Sequence, residues 1–330
     1  MVARETFHGQ IAANTRRSVL LLVLLSLVLV LLGVVVGFSL TGSPEGAILA
    51  VPISIGVAFL LSAGAWYAGD ALVLGASGAR HVGGDEAPQL LNVVRELSLA
   101  ASIPMPRVWL IDDSAPNAFA TGRDPEHASI AVTTGLLDKL DREALQGVIG
   151  HELAHVRNFD IRFALLVGVL VGSIALLCDI LLRAARYGAL GGGRRSRSSS
   201  SSSAGGLAAI VLLVAIVLAI VAPLFARLVQ LAISRQREYL ADATSVELTR
   251  NPDGLERALA TIAADQEPLE VANRATQHLF IVNPIKKVDL STRGLFSTHP
   301  PIAERIDRLR RLTGRPPLPP DAVGRLGPLA

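Results

Sequence analysis

Four long apolar runs alternate with polar stretches along the chain, at Ser18–Leu40, Ala47–Tyr67, Phe163–Leu182 and Leu207–Ala226. Each is long enough to cross the roughly 30 Å of a bilayer's hydrocarbon, so the pattern predicts four apolar helices. The first lacks the short core and small-residue cleavage site of a secretory signal peptide and reads as an uncleaved anchor. A turn, Thr41–Gly46, joins the first two, and Trp66 and Tyr67 close the second at the level where amphipathic rings favour headgroups. Asp70 marks its exit.

Between Ser77 and Arg162 the pattern becomes that of a soluble α/β unit. Leu90, Leu91, Val94, Leu97 and Leu99 recur with helical spacing after Asp85-Glu86, and Pro104 and Pro106 stop them. Arg107–Ile111 and Ala128–Thr133 read as strands, with a turn-rich Asp112–Asp124 between them. Ala128–Thr133 offers an edge to an extended peptide. Asp141 is placed to cap the helix that follows Leu136–Leu140. Three glycines, Arg194, Arg195, Arg197 and a serine tract to Ser203 separate the last two apolar runs and cannot form a core. The organisation expected is an N-terminal transmembrane hairpin (1–70), two halves of one catalytic domain (71–162 and 227–314), a second apolar hairpin between them (163–226), and a structureless tail (315–330).

Composition agrees: 51% of the 330 residues are hydrophobic and 18% charged. Aromatics total 4% and do not interleave with basic residues, which argues against nucleic-acid binding. The arginines fit membrane-flanking charge instead. Arg4, Arg16 and Arg17 precede the first run while the turn carries no Lys or Arg, which puts the N-terminus and everything after Asp70 in the cytoplasm. The Arg16-Arg17 pair reads as a topology signal; the alternative is a twin-arginine export signal. The single cysteine, Cys178, lies in an apolar run and makes no intrachain disulfide.

The chemistry centres on Gly150-His151-Glu152-Leu153-Ala154-His155-Val156. Histidines four apart share one helix face and can reach one Zn²⁺, and the intervening glutamate can take a proton from water there. A catalytic zinc keeps three protein ligands. A metzincin-type third histidine is absent, since Ile161 stands six residues on, and Cys178 is discounted by its apolar setting. Glu238 stands out, because Asp242 one turn later is suited to orient a zinc-binding histidine. By spacing alone, Glu238 reads more readily as an exposed helix residue paired with Arg235 or Arg237 than as a ligand.

Five blocks in order resemble the HtpX-like membrane zinc metallopeptidases, relatives of the type 1 CAAX prenyl proteases: Asn117–Gly122, Val132–Leu137, His151–His155 with Asp160, Ser234–Asp242, and Ser297-Thr298-His299-Pro300-Pro301. The resemblance implies an α-helical membrane protein with a zincin-like α+β catalytic domain. It implies one Zn²⁺ on His151, His155 and Glu238, with Glu152 as catalytic base and Asp242 behind the metal. His299 becomes the candidate electrophile for the oxyanion, and Asn117 a candidate for holding substrate backbone. The role of Asp160, helix anchor or support for the metal, is open. The activity implied is hydrolysis of peptide bonds at the cytoplasmic membrane face, with misfolded or damaged membrane proteins as substrates in stress-related quality control. CAAX-type processing and a non-catalytic adaptor on the same scaffold are the alternatives; an intact Glu152 speaks against the adaptor. The arginine-serine linker departs from the family pattern. If Glu238 joins both histidines, the third and fourth runs must both cross or both not cross. Crossing would place five arginines outside, against the positive-inside bias, whereas the spanning length of both runs favours it.

Overall fold

The computed structural model describes scattered positions between 16 and 34, then 43–166 except 85, 235–265, 267–270, 280–281 and 300–319. The remainder of the first and third apolar runs, the whole of the fourth, the arginine-serine linker, Asp85, His299 and the last eleven residues lie outside the described residues.

Helix α1 spans Pro44–Ala76, with Ser43 as its cap and Pro44 beside Glu45 in its first turn. It is the one helix, among the described residues, long and apolar enough to cross a membrane. The helix continues to Ala76, past Asp70, which marks the exit of the apolar run in the sequence. Arg107 Nη2 donates to Asp70 at 2.7 Å. Its last turns bury Val73 and Leu74 against a sheet.

That sheet has four strands in the order β1-β2-β4-β3: β1 Arg80–His81, β2 Arg107–Ile111, β3 Ala118–Gly122 and β4 Ala128–Thr133. β2 and β4 are parallel, while β1 runs antiparallel to β2 and β3 to β4. β2 and β4 have the bounds the sequence predicts. β3 falls inside the stretch read as turns, because Ala-Phe-Ala-Thr-Gly has no alternation of apolar and polar residues; all five are buried. Among the described residues the edges are therefore β1 and β3, and β4 is interior, paired on both sides, which corrects the expectation that β4 offers a free edge.

Alternate side chains divide between two cores. Val108, Leu110, Ile130 and Val132 face helices α2 (Pro88–Ala101) and α4 (Arg142–Arg157). Ile111, Phe119 and Ala131 face the end of α1, Leu165 and Phe280. After the short α3 (Thr134–Lys139), Asp141 caps α4, accepting from the Ala144 N–H at 2.8 Å. Three further helices close the domain: α5 (Arg235–Thr249), α6 (Pro252–Ala264) and α7 (Ile302–Leu312).

Two glycines of α4 set how closely these helices approach. A Cβ on Gly150 would lie 2.8 Å from Ser245 Oγ, and one on Gly147 would lie 2.6 Å from the Leu255 backbone. Ser245 Oγ donates to the Gly147 carbonyl at 2.7 Å, pinning α5 to α4. Two turns before Ser245, α5 carries Glu238 up to the histidine face of α4.

Candidate metal centre

His151, Glu152 and Glu238 are buried and His155 is half-buried. The Nε2 atoms of His151 and His155 are 3.2 Å apart. Glu238 presents one oxygen to each: Oε2 is 3.6 Å from His151 Nε2, and Oε1 is 3.6 Å from His155 Nε2. A tetrahedral zinc site with bonds of about 2.0–2.1 Å has donor atoms about 3.3–3.4 Å apart. The histidine separation is close to that spacing, one donor atom from each of the three residues lies within 4.8 Å of the others, and two imidazoles with one carboxylate are a donor set that zinc accepts. Among the described residues this trio can hold a metal ion.

Both imidazoles are held from behind. His151 Nδ1 lies 2.9 Å from Asp242 Oδ1, and His155 Nδ1 lies 3.1 Å from Asp160 Oδ2. With Nδ1–H donated to a carboxylate, each ring in its neutral form offers its Nε2 lone pair to the shared space. Asp160 thus has a definite place, which the sequence left open. It gets there because Phe159, just past the end of α4, takes φ +60°, a left-handed conformation costly for a bulky residue. Phe159 also stacks on the Arg162 guanidinium, 4.9 Å from the ring centre. Arg237 Nη1 stands 3.8 Å from the other oxygen of Asp160.

The charges act on one another. Burial and the nearby Arg305 charge oppose protonation of His151, but its hydrogen bonds to Asp242 and Glu238 prevail, and its pKa is pushed up to about 9. Burial raises the Asp242 carboxyl, yet the Arg305 charge and the hydrogen bonds from His151 and Arg305 prevail and hold it below the usual range. Burial pushes the Glu152 carboxyl above its ordinary value, although His151 and His155 pull the other way. The Ala120 N–H on β3 reaches the Glu152 carboxyl, whose Oε1 has no hydrogen-bond partner among the described residues. A carboxyl raised toward neutrality with an oxygen to spare is suited to proton transfer.

Asn117 is buried at the start of β3, where its Oδ1 accepts from the Ala118 N–H at 3.1 Å and its own N–H donates to Thr133 Oγ1 at 2.9 Å. His299 lies outside the described residues. Sequence reasoning missed Arg305, wholly buried beside Asp242. The signal was available: an arginine in the apolar stripe of an amphipathic helix.

The family model for peptidase family M48 matches residues 85–313. A protease HtpX homolog of Streptococcus gordonii is 44% identical over 303 residues, covering 92% of this chain and 99% of its own. One from Dictyoglomus thermophilum is 41% identical over 310 residues, with 94% and 96% covered. The crystal structure of S. mikatae Ste24p is similar with a TM-score of 0.46 and 17% identity, over 85% of this chain and 61% of that one. With the His-Glu-x-x-His helix and the distant glutamate brought together, the family match and the HtpX likenesses mean that the chain belongs to peptidase family M48, among the HtpX-like metalloproteases.

Proposed function

We propose that this chain is a membrane-bound zinc endopeptidase that cleaves proteins at the cytoplasmic face, with His151, His155 and Glu238 holding the ion and Glu152 as general base. The observation that carries the reading is the three-donor cluster, both imidazoles backed by carboxylates, with the buried Glu152 on the same helix. When bound, zinc supplies the Lewis acidity that makes water nucleophilic near neutral pH and polarises a carbonyl. Glu152 accepts the proton from that water and returns it to the departing amine. Asp242 and Asp160 keep the two Nδ1–H groups occupied, so neither ring can turn its lone pair away.

The substrate reading rests on β3, which is an edge strand among the described residues. Thr133 N–H donates to the Asn117 carbonyl. By antiparallel alternation the N–H and C=O of Ala118, Ala120 and Gly122 then point away from β4. The Ile281 N–H already takes the Ala118 carbonyl at 2.9 Å. An extended peptide adding along this edge would pass Glu152. Asn117 is proposed to steady substrate backbone, and His299 to stabilise the oxyanion.

Membrane attachment is supported by α1, where Ile48, Leu49, Ile53, Phe59 and Leu60 are exposed. Gly33 of the first apolar run lies against Ser54, as a hairpin of two spans requires. At the other end of α1, Arg162 lies 5.0 Å from the Trp66 ring centre and Arg123 5.7 Å from that of Tyr67, a cation-and-aromatic boundary suited to headgroups. The five-part organisation, with four apolar helices, belongs to this proposal, as do misfolded membrane proteins as substrates. On this reading, Glu238 beside His151 and His155 requires both halves of the domain to share one side, so the third and fourth runs would cross together or not at all.

The test is hydrolysis of casein by full-length protein in detergent. Glu152→Gln should lower the rate by about 10²–10⁴-fold while keeping its zinc. A variant as fast as wild type would remove Glu152 from the mechanism.

A further inference from the structure

Helix α7 buries Ile302, Ile306 and Leu309, and Arg305 occupies the same stripe. None of Arg305 is exposed. Burying a guanidinium is costly unless its charge and hydrogen bonds are answered, so leucine or methionine would serve better as a mere space-filler. Its partners gather at the metal centre. Nη2 and Nε donate to the two oxygens of Asp242 at 2.7 and 3.0 Å, the two-pronged grip that a planar guanidinium makes on a carboxylate. Nη1 donates to the Ile281 carbonyl at 3.2 Å and stands 3.7 Å from Glu238 Oε2.

We propose that Arg305 is a positioning residue for the metal: it fixes Asp242, and through Asp242 the aim of His151. Asp242 Oδ1 accepts from Arg305 and also faces His151 Nδ1 at 2.9 Å. A carboxylate held by the histidine alone is free to swing about its terminal torsion, which is broad, and would leave its second oxygen buried and unpaired. Gripped at both oxygens, it has one orientation, and that orientation sets which ring nitrogen of His151 carries the proton. The C-terminal helix is thereby part of the metal site, although none of its residues is placed as a ligand. The inference rests on the zinc reading above.

The experiment is zinc affinity by chelator competition on the full-length, detergent-purified protein, followed by absorption spectra of the cobalt-substituted forms. Arg305→Met should weaken zinc binding by about 10–100-fold, the usual effect of removing support behind a ligand. Arg305→Lys should recover only part of this and shift the cobalt spectrum, since an ammonium cannot span both oxygens. It also stands in should Arg305→Met fail to fold. Asp242→Asn combined with Arg305→Met should lose less than the product of the two single losses, because both act on the Asp242 carboxylate. Leu309→Ala loosens the same helix without touching Asp242 and should hold zinc within about twofold of wild type, the additivity error for an independent site. An Arg305→Met or Arg305→Lys protein with wild-type affinity and spectrum would overturn the proposal. So would losses that multiply in the double variant, or an equal loss in Leu309→Ala. A wild type that takes up no zinc would overturn the zinc reading itself, and this inference with it.

Discussion

Zinc uptake should be a proton exchange at His151, and the structure gives its size. In the metal-free protein, against burial and the Arg305 charge, Asp242 and Glu238 raise this imidazole from an ordinary 6.5 to about 9, which corresponds to about 3 kcal/mol between the two protonation states. The sign follows from the direction. A pKa raised by folding stabilises the metal-free fold fully below pH 6.5, and that stabilisation is lost as the pH rises through about 9. Zinc requires the neutral ring, so apparent affinity should rise about tenfold per pH unit up to about 9. At pH 7 it should stand about 100-fold below its plateau. Calorimetry in buffers of different ionisation enthalpy should find about one proton released from this ring per zinc at pH 7. The melting temperature of the metal-free protein should fall between pH 6.5 and 9 as affinity climbs. Asp242→Asn removes a principal cause of the shift and should move the plateau to lower pH. Zinc binding without proton release at pH 7, and with an affinity flat from pH 7 to 9, would refute the reasoning.

Other expectations follow from particular contacts. Ala120→Pro deletes the N–H that reaches Glu152 but no β-ladder donor; loss of a hydrogen bond to a charged group, about 1.5–3 kcal/mol, should cost tenfold or more in kcat/KM of the protein that remains folded. Equal activity would remove the β3 edge from the site. Gly147→Ala drives a methyl to 2.6 Å from the Leu255 backbone; overpacking of about 1–3 kcal/mol exceeds the gain in helix propensity of about 1 kcal/mol, so thermal unfolding should occur earlier, and a higher melting temperature would contradict the helix contact. Asp141→Ala loses the cap of α4 and should destabilise by about 1 kcal/mol in denaturant titrations, whereas an unchanged midpoint would show the cap to be idle.

What could be read from the sequence divides by the range of the interactions involved. β2 and β4 are near-continuous apolar runs, and the cap at Asp141 is a local signal, so both were legible. His151 and His155 are bound to one face by helix geometry. Glu238 was ambiguous on spacing, because its meeting with those histidines depends on the close approach of Gly150 and Ser245, residues far apart in the chain on two different helices. β3 was hidden because both its faces are buried and small residues carry no alternation. The last turns of α1, beyond Asp70, bury Val73 and Leu74 against a sheet formed much later in the chain. Asp160 needs the left-handed turn at Phe159, which nothing in that residue type announces. Arg305 was written in the pattern as a charge within an apolar stripe, and its meaning appears only with Asp242 opposite.

The most direct measurement is zinc content of the detergent-purified chain beside Glu238→Ala, with a circular-dichroism melt to establish that both are folded. One zinc per wild-type chain is expected, and little or none in the folded variant, whose two remaining donors make a poor site. Equal occupancy in both would contradict the joining of the two halves of the domain through one ion.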